Sequence, residues 1–206
     1  MRADARRNRE RVLAAAEEVF AEGGLRAQID EVARRAGVGV GTVCRHFPTK
    51  HALVEAVLEA MYASLLEAAE RAVAEPDAGA AFEAFFYRLA EFQARHRALA
   101  ESMATTVDLS TVAGETRRAL RGAIAELVAH AQAAGAVRAD VGPADVTMLF
   151  SGVAHATALA GDLQPMLRRR HLAIILDGLR PVSGTSLPGK PIDFAQLDRV
   201  RKRRSP

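Results

Sequence analysis

Apolar residues recur at intervals of three and four along nearly the whole chain, the spacing of a single buried helical face. In the first segment Val12, Ala16, Val19 and Phe20 form such a stripe, with Arg9, Glu10, Glu17 and Glu18 mostly off it and Gly23-Gly24 closing the helix. A short second helix carries Ile29, Val32, Ala33 and Ala36 on one face and closes at Gly37. A third is predicted from about Val40 to Phe47 and stops at Pro48. Thr49 can cap a long fourth helix reaching about Ala74, striped by Leu53, Val57, Met61, Leu65 and Ala69, with Lys50 in its first turn. Another helix over 80–97 sets Phe82, Phe85, Phe86 and Leu89 on one side, while 99–112 is less regular. Further helices are predicted over 114–134, 143–161 and 165–179. Beyond Pro181 the pattern gives way to Ser, Gly and Pro, then to the basic run Arg199–Arg204; this part reads as a flexible, basic tail. With no strand pattern and no internal repeat, the fold class is all-α.

Composition supports a globular chain. Half of the 206 residues are hydrophobic, 26% are charged, and aromatic residues are scarce at 5%. The lone cysteine, Cys44, excludes an intrachain disulfide and fits a cytoplasmic location. The basic N-terminus runs into a charged amphipathic stretch without an apolar signal core. The longest charge-free run, 146–161, is shorter than the roughly 20 apolar residues a bilayer requires. No membrane partner is therefore expected. A net charge of +3 and a pI near 9.5 permit a nucleic-acid partner without demanding one. Over residues 1–58, ten Lys or Arg face eight Asp or Glu, so placement must matter more than number.

The placement is informative between Ile29 and Phe47, where two short helices are joined by a tight glycine-bearing turn. That is the outline of a helix-turn-helix, whose second helix enters the major groove. Ala33 is small where the helices must cross closely, and Gly37 suits a left-handed turn residue. Val40, Val43 and Phe47 are expected to face inward. Gly41, Thr42, Arg45 and His46 then face outward together, able to touch phosphates and base edges.

The run from Gly37 through Val43-Cys44-Arg45-His46-Phe47-Pro48-Thr49-Lys50, followed by Ala52-Leu53-Val54, closely resembles the DNA-binding signature of TetR-type transcriptional regulators. The stripe Val12–Phe20 and the segment Ile29–Gly37 match that family as well. The resemblance covers about the first quarter of the chain; the rest matches in length and architecture, with Gly135–Asp140 and Asp177–Arg180 looking like recurring features of the regulatory domains. It implies a DNA-binding domain over 1–58, a ligand-binding and dimerisation domain over 59–180, and the tail over 181–206. Double-stranded DNA with a pseudo-palindromic operator, a second copy of the chain and a small-molecule effector are the implied partners; no cofactor or metal is implied.

Carried over by position, the DNA contacts implied are Arg6 and Arg7 of an N-terminal arm, then Gln28, Val40, Gly41 and Thr42, then Cys44, Arg45, His46 and Lys50. Two positions depart from the family pattern. Cys44 stands where a tyrosine usually grips a phosphate, and Gly39-Val40 replace polar residues at the start of the recognition helix. Affinity then leans on Arg45 and the N-terminal arginines. Phe82, Phe86, Met103 and Phe150, with the polar Thr106, Asp108 and His155, are the candidate effector-pocket residues. Val146, Leu149 and Val153, with Leu172 and Leu176, are the candidate dimer contacts, small neighbours allowing close helix approach.

Other chemistry finds little support. The glycines at 37, 39 and 41 follow a helix rather than the strand a dinucleotide fingerprint needs. His130, His155 and His171 lack metal-ligand spacing, and Ser151 and His155, four apart, have neither a nucleophile elbow nor a positioned acid. The chain is not expected to be an enzyme. Cys44 reads as a small half-buried hydrophobe, with an oxidant-sensing thiol as the alternative because Arg45 and His46 adjoin it. An all-α ligand carrier and a sequence-indifferent basic DNA binder remain the alternatives to a regulator.

Overall fold

A computed structural model describes residues 2–104, 114–157, 160–181 and 186–202. Among them the chain forms ten α-helices and no strand: α1 (Arg2–Gly23), α2 (Ile29–Ala36), α3 (Val40–His46), α4 (Lys50–Val73), α5 (Ala78–Arg95), α6 (Arg97–Ala104), α7 (Gly114–Ala133), α8 (Pro143–Ala156), α9 (Gln164–Gly178) and α10 (Phe194–Lys202). No described helix is long and apolar enough to cross a membrane. The helices divide into two compact units, one drawn from 1–64 and 95–117, the other from 65–94 and 118–206. Helix α4 contributes to both.

In the first unit the α1 stripe of Val12, Ala16, Val19 and Phe20 is fully or almost fully buried. Val32 and Ala33 of α2, Val43 of α3, Leu53 and Val57 of α4 and Leu99 of α6 share that fate. Helix α6 occupies the first part of the stretch that lacks clear periodicity in sequence; it is only eight residues long and packs on α1. Its period is too short to read, and tertiary packing supplies the stability that propensity does not.

The second unit centres on rings. Phe82, Phe86 and Phe150 are buried, the Phe82–Phe86 centroids lie 4.6 Å apart and Phe86–Phe150 4.7 Å apart, joining α5 to α8. Leu127 and Val128 of α7 and Val146 and Val153 of α8 surround them in the core, with Leu172 and Leu176 of α9. Helix α8 begins with Pro143 at its first turn and stops at Ala156, short of the expected Gly161; the Thr157 hydroxyl donates to Val153 O at 2.9 Å and closes its last turn.

The C-terminal segment departs from the expectation of a flexible tail. Leu187 N donates to Asp140 Oδ2 at 2.9 Å, Ile192 N to Asp145 Oδ2 at 3.1 Å, and Ile192 O accepts from Ala144 N at 3.2 Å. The chain thereby satisfies backbone groups at the N-terminus of α8 that a helix leaves open. Helix α10 follows, with Asp198 paired to Arg121 at 2.6 Å and the Phe194 ring 5.2 Å beneath the same guanidinium. The anchoring groups sit singly among Ser, Gly and Pro, so no periodicity announces them. Arg138 and the Leu187 N–H hold the Asp140 carboxyl down to about 2.

Candidate nucleic-acid interface

The turn between α2 and α3 is fixed by backbone chemistry and by one side chain from α1. Gly37 adopts φ 64°, ψ 39°, a left-handed conformation that costs glycine little. Val38 N donates to Ala33 O at 3.0 Å, the 6→1 bond of a Schellman close. Arg11 reaches across from α1, its Nη2 donating to Ala36 O at 2.6 Å and to Gly37 O at 3.4 Å. An added Cβ at Gly37 would come within 2.8 Å of that guanidinium nitrogen. On the other side of α2, Arg35 pairs with Glu22 at 2.9 Å and Glu18 at 3.3 Å, which lowers the Glu22 pKa. These pairs are solvent-exposed and add little stability by themselves.

Helix α3 is anchored by Val43 and by Phe47, both buried; the Arg9 guanidinium lies 5.3 Å above the Phe47 ring. Val40 does not face inward as expected from its period: it is 41% exposed. It opens the helix, ahead of the first full turn, and only Val43 and Phe47 reach the core. Gly41, Cys44 and Arg45 are exposed, and Thr42 and His46 are half-buried. Arg45 Nε donates to Gly41 O at 3.1 Å, laying the guanidinium along the outer face of α3. Gly39 offers no side-chain cap, so the first turn is closed by backbone bonds alone, Thr42 N to Gly39 O at 2.8 Å among them.

The basic residues around α3 are differently engaged. Arg6 and Arg7 belong to α1, which begins at Arg2, so they sit on a helix rather than an extended arm. Arg6 lies 3.8 Å from Glu10, and Arg7 pairs with Asp4. The alternation of charges at three- and four-residue spacing is what lets the helix continue this far. Gln28 is exposed at the N-cap of α2, its Nε2 donating to Arg26 O at 3.0 Å. Lys50 Nζ donates to Leu25 O at 2.6 Å, tying the start of α4 to the turn after α1. Thr49 Oγ1 accepts from Ala52 N at 3.0 Å and caps α4.

In the second unit several expected roles change. Of the candidate pocket residues, Phe82, Phe86 and Phe150 pack against one another, whereas His155 is exposed on α8 because the inward face there is taken by Val153 and Ala154. Met103 lies on α6, and Thr106 and Asp108 fall outside the described residues. Of the candidate dimer contacts, Val146, Val153, Leu172 and Leu176 are in the unit's own core, leaving Leu149 exposed at 45%. The exposed apolar side chains are instead Met148 beside it on α8, and Met166 and Ile174 on α9. Apolar stripe and solvent-facing stripe run side by side on both helices, and periodicity alone does not say which one a single chain buries.

A helix-turn-helix with a clasped turn, an exposed polar face on its second helix and a separate helical unit defines a DNA-binding regulator. The comparisons agree. Residues 12–57 match the family model for bacterial regulatory proteins of the tetR family, and residues 77–181 match the SbtR-like transcriptional regulator C-terminal domain. The chain belongs to the TetR family of transcriptional regulators. Among solved structures, a TetR transcription regulatory protein from Mycobacterium vanbaalenii is 39% identical, with 87% of this chain and 99% of that chain covered and a TM-score of 0.70. A TetR transcriptional regulator from Streptomyces coelicolor is 33% identical, with 85% and 99% covered and a TM-score of 0.70. A third structure, described as the molecular basis for control of antibiotic production by bacterial hormones, is 26% identical, with 84% and 97% covered and a TM-score of 0.65. No curated protein matches the chain.

Proposed function

We propose that the protein is a dimeric repressor that occupies a pseudo-palindromic operator and is released by a small apolar or amphipathic effector. The observation that carries the reading is the exposed face of α3, where Gly41, Cys44 and Arg45 stand on a helix held by Val43, Phe47 and the Arg11 clasp. A rigid helix presenting a guanidinium beside a bare glycine backbone suits close approach to a groove. Arg45 reads bases, the N-terminal arginines and Lys50 supply phosphate contacts, and Gln28 at the α2 N-cap adds a polar contact.

A second copy docks on the exposed stripes of α8 and α9, which carry Met148, Leu149, Met166 and Ile174. Apolar side chains left open on two neighbouring helices fit a four-helix contact between copies, with the two-fold symmetry a palindrome requires. Control by a small molecule is supported by the relative whose structure is described as the molecular basis for control of antibiotic production by bacterial hormones. Effector binding in the second unit shifts α4, the helix both units share, and draws the two recognition helices away from groove spacing. A tenfold loss of operator affinity needs about 1.4 kcal/mol of coupling. Selection of genomic fragments by the full chain, with Arg45→Ala as control, tests the DNA reading. One recovered motif that the variant loses supports it; uniform, salt-labile recovery by both proteins identifies a sequence-indifferent binder instead.

A further inference from the structure

On α5 the apolar stripe of Phe82, Phe86 and Leu89 continues into Gln93, two helical turns beyond Phe86. An apolar side chain would extend the stripe; an amide interrupts it. Gln93 Nε2 donates to Ser151 Oγ on α8 at 2.9 Å, next in sequence to the buried Phe150. The Ser151 hydroxyl spends its own proton on Thr147 O at 2.8 Å, so it can only accept from Gln93. The amide nitrogen of Gln93 accordingly faces Ser151. The other end, Gln93 Oε1, is sealed from solvent and meets no donor among the described residues.

A buried acceptor without a donor costs folding free energy, and such a group in a folded protein calls for an occupant. We propose that Gln93 is the polar anchor of the effector site, and that the effector is an apolar or aromatic molecule donating one hydroxyl or N–H hydrogen to Gln93 Oε1. The inference rests on the reading of the second unit as the effector-binding part. Ser151 and Thr147 orient the amide, and the contact between the Phe86 and Phe150 rings joins the same two helices. The class of ligand follows from the atom left over. An acceptor selects a donor, and a buried neutral amide favours an uncharged one.

The test uses three pairs of probes that differ only in the donor: indole and 1-methylindole, 1-naphthol and 1-methoxynaphthalene, cyclohexanol and methoxycyclohexane. Binding to the full chain is measured by calorimetry. In at least one pair the donor binds about tenfold more tightly than its methylated partner, as expected for one buried hydrogen bond. Gln93→Met levels that pair and unfolds no earlier on heating than the parent, because the unpaired acceptor is gone. Equal binding within every pair, binding by no probe, or a donor preference that survives in Gln93→Met each overturns the anchor; a trapped water in its place gives the first of these. Operator selection is scored separately with both proteins. A shared operator without donor preference removes the anchor and leaves the regulator standing, whereas no operator removes the regulator whatever the probes do.

Discussion

Arg11 on α1 donates through Nη2 to the carbonyl of Ala36 at 2.6 Å, so the first helix holds the turn of the helix-turn-helix shut. Twenty-five residues separate the two in sequence. The contact closes orphan carbonyls at the end of α2 with a charged donor, a bond stronger than a neutral one. Arg11→Met keeps the aliphatic stem and removes the donors. It should cost about 1–2 kcal/mol in urea unfolding and weaken operator binding, since α3 loses its fixed angle to α2. An unchanged unfolding midpoint would show the clasp to be idle.

Cys44 is exposed on α3 at the position where the family resemblance implies a phosphate-gripping tyrosine. Cys44→Tyr should raise operator affinity about three- to tenfold and leave the slope of log affinity against log salt unchanged, because a phenol hydroxyl adds a phosphate contact without adding positive charge. Anisotropy titrations at several salt concentrations read both quantities. Lower affinity in the variant would mean that the helix sits differently in the groove from what the resemblance implies.

His96, the residue between α5 and α6, is 4% exposed, and burial, with the nearby charge of Arg95, pushes its pKa down from 6.5 to about 4. Glu17 Oε1 lies 3.4 Å from Nε2 and favours the protonated ring, but that carboxylate is one-third exposed and screened, so burial of the ring prevails. The folded protein therefore keeps His96 neutral while the unfolded chain takes up a proton. Stability from this group is complete above about pH 6.5, falls as pH drops towards 4, and levels off below; the full loss amounts to about 3 kcal/mol at most. His96→Gln should flatten the stability profile between those limits. An equal slope in the variant would assign the pH dependence to other groups.

Gly142 lies against the C-terminal segment. A Cβ there would come within 2.8 Å of Ile192 N and closer still to Ile192 O. Gly142→Ala should displace residues 186–202 from the α8 N-terminus, lower stability by about 1–3 kcal/mol and speed chymotryptic cleavage after Phe194. Unaltered cleavage would mean that the segment tolerates the methyl group by a local shift.

The helices were legible in sequence wherever a long stripe met a clear stop: α2 ends at Gly37, α4 starts behind Thr49, and Val43 and Phe47 point to the core. The contacts between distant segments were not. Arg11 is one of five arginines before Val12, and nothing in their spacing marks which of them turns towards Ala36. On α8, Val146 and Val153 look as fit for a partner as Met148 and Leu149 do; only the placement of α9 and the Phe86 ring decides which pair the unit keeps for itself. Gln93 was visible as a residue and invisible as an unpaired acceptor, because its partner Ser151 lies on another helix.

The central claim is that two copies of the chain read one symmetric site through α3. Hydroxyl-radical footprinting of a selected fragment bears on it most directly. The account predicts two equivalent protected half-sites related by two-fold symmetry, their centres one helical turn of about 10 base pairs apart or a whole multiple of it, and both lost together in Arg45→Ala. A single protected half-site, or even protection along the fragment that Arg45→Ala leaves unchanged, would contradict it.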